Sequence, residues 1–272
     1  MIKRILTVFF SIPVIFFLTW FGGFWFFLMV TTLAIISLNE FYNMMKGKGF
    51  SPYYTIGNLF TLAIIVFIHN TLKHPNWEPV SSAILTSAVI VTFSVAIVIR
   101  RSAMATANIA ITLLGTLYIG WLFSYLVLLR ALTPHGAFLF LLMFTVWAND
   151  TVAYFFGKKF GKRQLSPYIS PKKTISGSAA GFLAALAVAY VFGMIFEKAL
   201  IPSIWPHYLI MGALIGIIGQ VSDLSESLIK RDAGVKDSSN LVPGHGGVLD
   251  RMDSFIFAAP ALYYYLTWFV LK

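Results

Sequence analysis

Eight of the ten acidic residues in this chain lie after position 149, and most of them sit beside lysines, hydroxyls or glycines. Asp223, Glu226, Ser227 and Lys230 are spaced i, i+3, i+4 and i+7, so a helix puts all four on one face. A Gly-rich turn follows, Gly244-His245-Gly246-Gly247, and then Asp250-Arg251-Met252-Asp253. Such a turn allows close backbone approach to a ligand, and its successive N–H groups can form an anion nest. A third cluster holds Asn149-Asp150-Thr151 and, further on, Pro171-Lys172-Lys173-Thr174 with Ser176 and Ser178. Lysines, hydroxyls and free N–H groups at a helix start suit a phosphate. Carboxylates from three segments, with no cysteine in the chain, favour a hard cation, Mg²⁺ above all. A metal held by few carboxylates completes its shell with substrate phosphates, which points to phosphoryl or nucleotidyl transfer.

Each cluster also has a plainer reading. Glu226 and Lys230 fit an ordinary i,i+4 ion pair at a helix end. Asp250 and Asp253 fit first-turn acids that complement a helix dipole, although Arg251 between them is then unexplained. The Lys172-Lys173 stretch alone fits a capped, positive loop. Gly157 to Lys162 is one residue short of the P-loop spacing and has no Ser or Thr after it, so it is set aside.

The elements that carry these residues must lie in a bilayer. Only 11% of the side chains are charged and 58% are hydrophobic, too few charges to cover a soluble globule. A span needs about 20 apolar residues to cross the hydrocarbon. Nine segments meet this length: 5–21, 24–42, 53–69, 80–99, 109–129, 136–156, 176–196, 207–229 and 252–271. With the N-terminus inside, 16 Lys and Arg fall on the inner side and 4 on the outer side, the latter being Lys73, Arg130, Lys198 and Lys272. That matches the positive-inside rule, and dropping one segment scrambles it. The expectation is an all-α, polytopic integral membrane protein of about nine transmembrane helices, N-terminus cytoplasmic and C-terminus on the outer side. Bulky Trp20 and Phe21 stand where a cleavage site would lie, so the first span is expected to be retained. The net charge of +10 then reads as topology first and as attraction to anionic lipid or phosphate second. No folded aromatic platform accompanies the lysines, so nucleic acid is not expected as a partner.

Residues 1–149 carry two acids, Glu40 and Glu78. Residues 1–135 therefore read as a scaffold of about five spans, and 136–272 as a catalytic region with cytoplasmic loops. His245 is the one histidine of five expected on the inner face. A charge at the bilayer centre costs roughly 2.5–3.5 kcal/mol, so the face bearing Asp223 must line a wet or protein-filled cavity.

The stretch Ser227-x-Ile229-Lys230-Arg231-x4-Lys236-Asp237-x-Ser239-x3-Pro243-x-His245-Gly246-Gly247-x2-Asp250-Arg251-Met252-Asp253 closely resembles the signature of phosphatidate cytidylyltransferases. Asp150-Thr151-x-Ala153-Tyr154-x2-Gly157 and Ser170-Pro171-Lys172-Lys173-Thr174 resemble that family's upstream blocks. Ile175-Ser176 departs from the pattern, in which Trp-Glu is common, so no acidic role is assigned there. The resemblance implies Mg²⁺-dependent reaction of CTP with phosphatidic acid to give CDP-diacylglycerol and pyrophosphate. It implies Asp223 and Asp250 as principal metal ligands, with Asp150, Glu226 and Asp253 in or near the shell, and room for a second cation. Lys172, Lys173, Lys230, Lys236 and Arg251 would neutralise phosphates. His245, Gly246 and Gly247 would shape the nucleotide pocket. Thr174, Ser176, Ser178, Ser227 and Asp237 complete the expected substrate-binding set. The resemblance also implies a homodimer. The short flanks suit a bacterial inner membrane, with the active site facing the cytoplasm. A CTP-dependent lipid kinase would use similar parts, and an ion-coupled transporter would also place acids in spans. The one-sided polar residues and the lack of paired broken helices weigh against transport.

Overall fold

The computed structural model describes residues 2–72, 78–99, 104–200, 205–241 and 246–271. His245 lies outside the described residues, as do Lys73, Arg100, Arg101 and Lys272. Ten α-helices make up most of it: α1 (Ile2–Phe21), α2 (Gly23–Gly47), α3 (Tyr54–Thr71), α4 (Glu78–Ile99), α5 (Ala105–Gly115), α6 (Leu122–Ala131), α7 (Ala137–Phe160), α8 (Ile175–Leu200), α9 (Trp205–Asp232) and α10 (Leu249–Tyr265). A wide π-turn, Thr116–Trp121, joins α5 to α6, so the two form one rod. Another, Leu266–Val270, extends α10. Between α7 and α8 lies a small antiparallel hairpin, β1 (Gln164–Ser166) with β2 (Ser170–Thr174).

Among the described residues, seven helical stretches are long and apolar enough to cross a membrane. They coincide with the second to eighth expected segments. The first expected segment is helical, and its Ser11–Phe21 part is an apolar run. The ninth, 252–271, falls on α10 and its π-turn extension, and α10 itself is 17 residues long with Asp250, Arg251 and Asp253 in its first turns.

The chain divides into two compact units. One comprises Met1–Ala131 with Asp232–Met252, and the other Leu132–Arg231 with Asp253–Lys272. In the first unit, α2, α3 and the α5–α6 rod pack together around Tyr42, which is fully buried. Its hydroxyl donates to the Thr112 carbonyl (2.7 Å), and its ring occupies the space left by Gly57 and Gly115. Asn39 and Asn58 pair across α2 and α3 at 3.1 Å. Polar groups in hydrocarbon need such internal partners. At its last turn α2 closes on Gly49 (φ 89°), with Phe50 N bonded to Met45 O and Gly49 N to Lys46 O. This is a Schellman motif, and it satisfies carbonyls that the helix end would otherwise orphan.

In the second unit α7 and α8 pack closely along each other. Gly157, Gly177 and Gly181 permit it, because a Cβ at Gly181 would lie 2.7 Å from the Asn149 carbonyl oxygen. Small residues let helix backbones approach where lipid supplies no hydrophobic drive. Gly212 and Gly216 likewise accept α8 residues Ala185 and Ala189 against α9.

The connection between α1 and α2 turns at Gly22 (φ 66°) and is held by Arg130, which is nearly buried. Its guanidinium donates to the Thr19 carbonyl and to the Trp20 carbonyl (2.8 Å). A cation at a helix C-terminus also opposes the dipole. Arg130→Ala should leave these acceptors unmet, lowering stability by roughly 1–3 kcal/mol. Thermal unfolding in detergent measures this, and a parent-like midpoint would show that Arg130 is not the anchor.

Candidate active site

Two groups of polar residues stand out, one in each unit. In the second unit, Asp150 on α7, Asp223 and Glu226 on α9, and Asp253 on α10 lie close enough that the charges of the other three all act on Asp253. Two lysines answer them. Lys173, on β2, forms an ion pair with Asp223. Lys230 pairs with the fully buried Glu226 one helical turn away. The plain i,i+4 reading of that pair is therefore realised, and it is buried. Ser227 Oγ reaches Asp223 Oδ1 at 3.5 Å.

The helices fix these carboxylates through neutral side chains. Asn149 Nδ2 donates to Asp150 Oδ1 (3.1 Å), and Ser254 Oγ approaches Asp150 Oδ2 (3.4 Å). Asn149 in turn accepts from Gln220 Nε2 (2.9 Å), and Gln220 also receives the Ser178 hydroxyl. An amide network thus runs from α8 through α9 to α7. Ser222, fully buried, donates to the Asp253 carbonyl and accepts from Phe257 N (3.2 Å). It therefore inserts between two groups that a regular α-helix would join directly.

The hairpin delivers the lysines. Along β2, Lys172 is exposed, while Lys173 is turned inward with its ammonium buried. Side chains alternate faces along a strand, so neighbours part company. Thr174 Oγ1 caps α8 by accepting from Gly177 N at 3.1 Å, and Ser176 Oγ lies 3.5 Å from it. That is the geometry of an N-cap hydroxyl bound to the N3 amide. Arg231 donates to the Ile169 carbonyl at 3.1 Å and so ties the hairpin turn to α9.

In the first unit the loop after α9 folds back on α2. Asp250, in the first turn of α10, accepts Gly247 N (2.7 Å), Ser238 N (2.9 Å) and Ser238 Oγ (2.9 Å), all on Oδ2. Beneath it lies Glu40, 5% exposed. Glu40 accepts Ser239 Oγ (2.6 Å) and Val248 N (3.0 Å) on Oε1 and Leu249 N (2.8 Å) on Oε2, and Ser238 Oγ, 3.0 Å from Oε2, shares its one hydrogen between Glu40 and Asp250. Gly246 holds φ at 82°, and a Cβ there would lie 2.6 Å from Asp250 Oδ2. Gly247 is buried directly against Ser238 and Glu40. Lys236, Asp237 and Arg251 are exposed around the loop.

The structure thus brings Asp150, Asp223, Glu226, Asp253, Lys173 and Lys230 together in the second unit. It groups Asp250, Gly246 and Gly247 with Glu40 and Ser238 in the first. Glu40, Ser238, Gln220 and Ser222 have no role in the sequence reading. For Glu40 the one available signal was an acid inside an otherwise uncharged apolar span. Among the described residues no three carboxylates or imidazoles are gathered tightly enough to enclose a metal by themselves. An all-oxygen donor set of few carboxylates nevertheless fits Mg²⁺, which relies on substrate oxygens and water for the remainder.

Apolar helices of spanning length, with a lysine-edged carboxylate cluster among them, define an α-helical integral membrane protein. Over residues 2–269 the sequence matches the cytidylyltransferase family, and the chain belongs to it. Phosphatidate cytidylyltransferase of Bacillus subtilis (strain 168) is 33% identical over 269 residues, covering 98% of each chain. That of Synechocystis sp. is 35% identical over 296 residues, covering 97% of this chain and 96% of the relative. That of Staphylococcus saprophyticus is 36% identical over 241 residues, covering 89% of each.

Gly247→Ala should push Ser238 and Glu40 apart, costing roughly 1–3 kcal/mol as overpacking does. A thermal midpoint equal to that of the parent would show that the loop has slack there.

Proposed function

We propose that this protein transfers the cytidylyl group of CTP to phosphatidic acid, releasing pyrophosphate and leaving CDP-diacylglycerol in the membrane. Family membership along nearly the whole chain supports the reaction. The observation that carries the site is the cluster of Asp150, Asp223, Glu226 and Asp253 beside Lys173 and Lys230.

A phosphate oxygen of the lipid attacks the α-phosphorus of CTP, and the bond from that phosphorus to the bridging oxygen breaks. Pyrophosphate carries the electron pair away. The lipid phosphate is already anionic near neutral pH, so no general base is needed. The obstacle is the meeting of two polyanions, and positioning with charge neutralisation lowers it. Mg²⁺, when bound, supplies positive charge to the triphosphate. In this reading Asp223, Asp150, Glu226 and Asp253 would hold it, and a second cation rests on the signature resemblance. The same role for Asp250 rests on the signature resemblance. Lys172, Lys230, Lys236 and Arg251 face phosphates. Lys173 serves them when it exchanges its pairing with Asp223 for a substrate anion. Thr174, Ser176, Ser178, Ser227 and Asp237 shape the surroundings, with His245, Gly246 and Gly247 at the nucleotide.

The topology that accompanies this reading has nine spans, N-terminus inside and C-terminus outside, in a bacterial inner membrane with the site at the cytoplasmic face. Sixteen inner against four outer basic residues support it. The homodimer rests on the resemblance.

The test is incubation of purified protein with α-labelled CTP, phosphatidic acid and Mg²⁺, followed by lipid extraction. Label in the lipid with pyrophosphate in solution is expected, whereas CDP in solution would indicate a kinase. Asp250→Asn and Asp223→Asn should each lower turnover about 10²–10³-fold while the protein stays folded in the membrane. Near-normal turnover by either variant would remove that residue from the site. Lys172→Ala and Lys173→Ala should raise the concentration needed of one polyanionic substrate, and unchanged kinetics in both would exclude them.

A further inference from the structure

We infer that Glu40 is a positioning residue for the signature loop: from α2 it holds the Gly246–Leu249 turn, the start of α10 and, through Ser238, the carboxylate of Asp250. The inference deepens the reading above, since it rests on Asp250 being a metal ligand.

The Ser239 hydroxyl and the Val248 and Leu249 amides donate to the Glu40 carboxylate, and the Ser238 hydroxyl, whose single hydrogen is shared with Asp250, lies against its Oε2. A carboxylate has about four lone-pair sites, and these contacts surround both oxygens of Glu40, so it is occupied within the protein. Bonds to an ionised acceptor are roughly twice as strong as neutral ones, which compensates for burying the charge. The two amides, of Val248 and Leu249, stand at the start of α10, where a helix has no internal acceptors for its N–H groups. Glu40 caps that helix from 209 positions away in the chain.

Ser238 joins Glu40 to Asp250. Its hydroxyl lies 3.0 Å from Glu40 Oε2 and 2.9 Å from Asp250 Oδ2, and its amide donates to Asp250 Oδ2 as well. Displacing Glu40 therefore moves Ser238, Val248 and Leu249 together, and with them the donors that orient Asp250 Oδ2. Gly247 is buried where any side chain would enter the contact between Ser238 and Glu40. The glycine at this position is required by the closeness of Glu40. Glu40 does not touch the reacting atoms in this account; it acts through Asp250.

Glu40→Gln is the informative substitution, because it keeps size and turns one acceptor into a donor aimed at N–H or O–H groups. Expected is a folded protein whose amides in 246–252 exchange with deuterium at least about tenfold faster, as befits loss of a bond network. Turnover of α-labelled CTP should fall about 10–100-fold, the usual cost of removing a residue that orients a ligand. The Mg²⁺ concentration for half activation should rise with it, a shift that a purely structural role would not produce. Exchange equal to the parent's in that segment overturns the inference, whether or not the parent makes CDP-diacylglycerol. Faster exchange with unaltered turnover and Mg²⁺ dependence overturns it too. A parent without cytidylyl transfer strikes at the functional reading, and the exchange measurement then decides on Glu40 alone. Should Glu40→Gln fail to fold, Ser239→Ala removes one of the four contacts. It should speed exchange and raise the Mg²⁺ requirement by a smaller factor, and no change in either overturns the inference.

Discussion

A charge carried into an apolar helical bundle has to be met by groups of the same molecule, because the surrounding lipid offers none. This constraint organises every polar feature described above. Glu40 meets two backbone amides and two serine hydroxyls, one of them shared with Asp250. Glu226 meets Lys230, and Asp223 meets Lys173. Arg130 meets the carbonyls that end α1. The two kinds of answer have different consequences. Neutral donors surround Glu40 and fix it in one geometry. Lysines pair with Asp223 and Glu226 by opposite charge, and a charge partner can be exchanged for another cation or lend itself to an anion.

The spans and their order were largely legible in the sequence. Hydropathy over stretches of about 20 residues is a local property, and seven of the expected segments are helices of spanning length. The i,i+4 pairing of Glu226 with Lys230 was legible for the same reason. Long-range closure was not. The contact of Glu40 with Ser238 bridges 198 positions, and nothing in the vicinity of either residue announces the other. The hairpin between α7 and α8 was missed because Pro171, Lys172 and Lys173 do not favour strands; its pairing is set by the helices that it joins. Thr174 and Ser178 were legible as hydroxyls near a helix start. Their work as a cap and as a partner of Gln220 was visible only in three dimensions.

The signature stretch changes character along its length. Ser227 to Arg231 belongs to the second unit and to a continuous helix, so spacing rules describe it well. Asp232 to Met252 belongs to the first unit, where irregular backbone is organised by Glu40 and Asp250. Sequence motifs of this kind record which residues occur together. They leave open which elements those residues hold in place.

The hairpin sets the fates of two identical neighbours. Lys172 faces out and Lys173 faces Asp223, with Gln164 paired to Thr174 and Ser166 to Ser170. Sliding β2 by one residue would trade the two ammonium groups between water and the carboxylates. Three strand residues therefore act as an indexing ratchet, choosing which of two chemically equivalent amines is withdrawn from solvent.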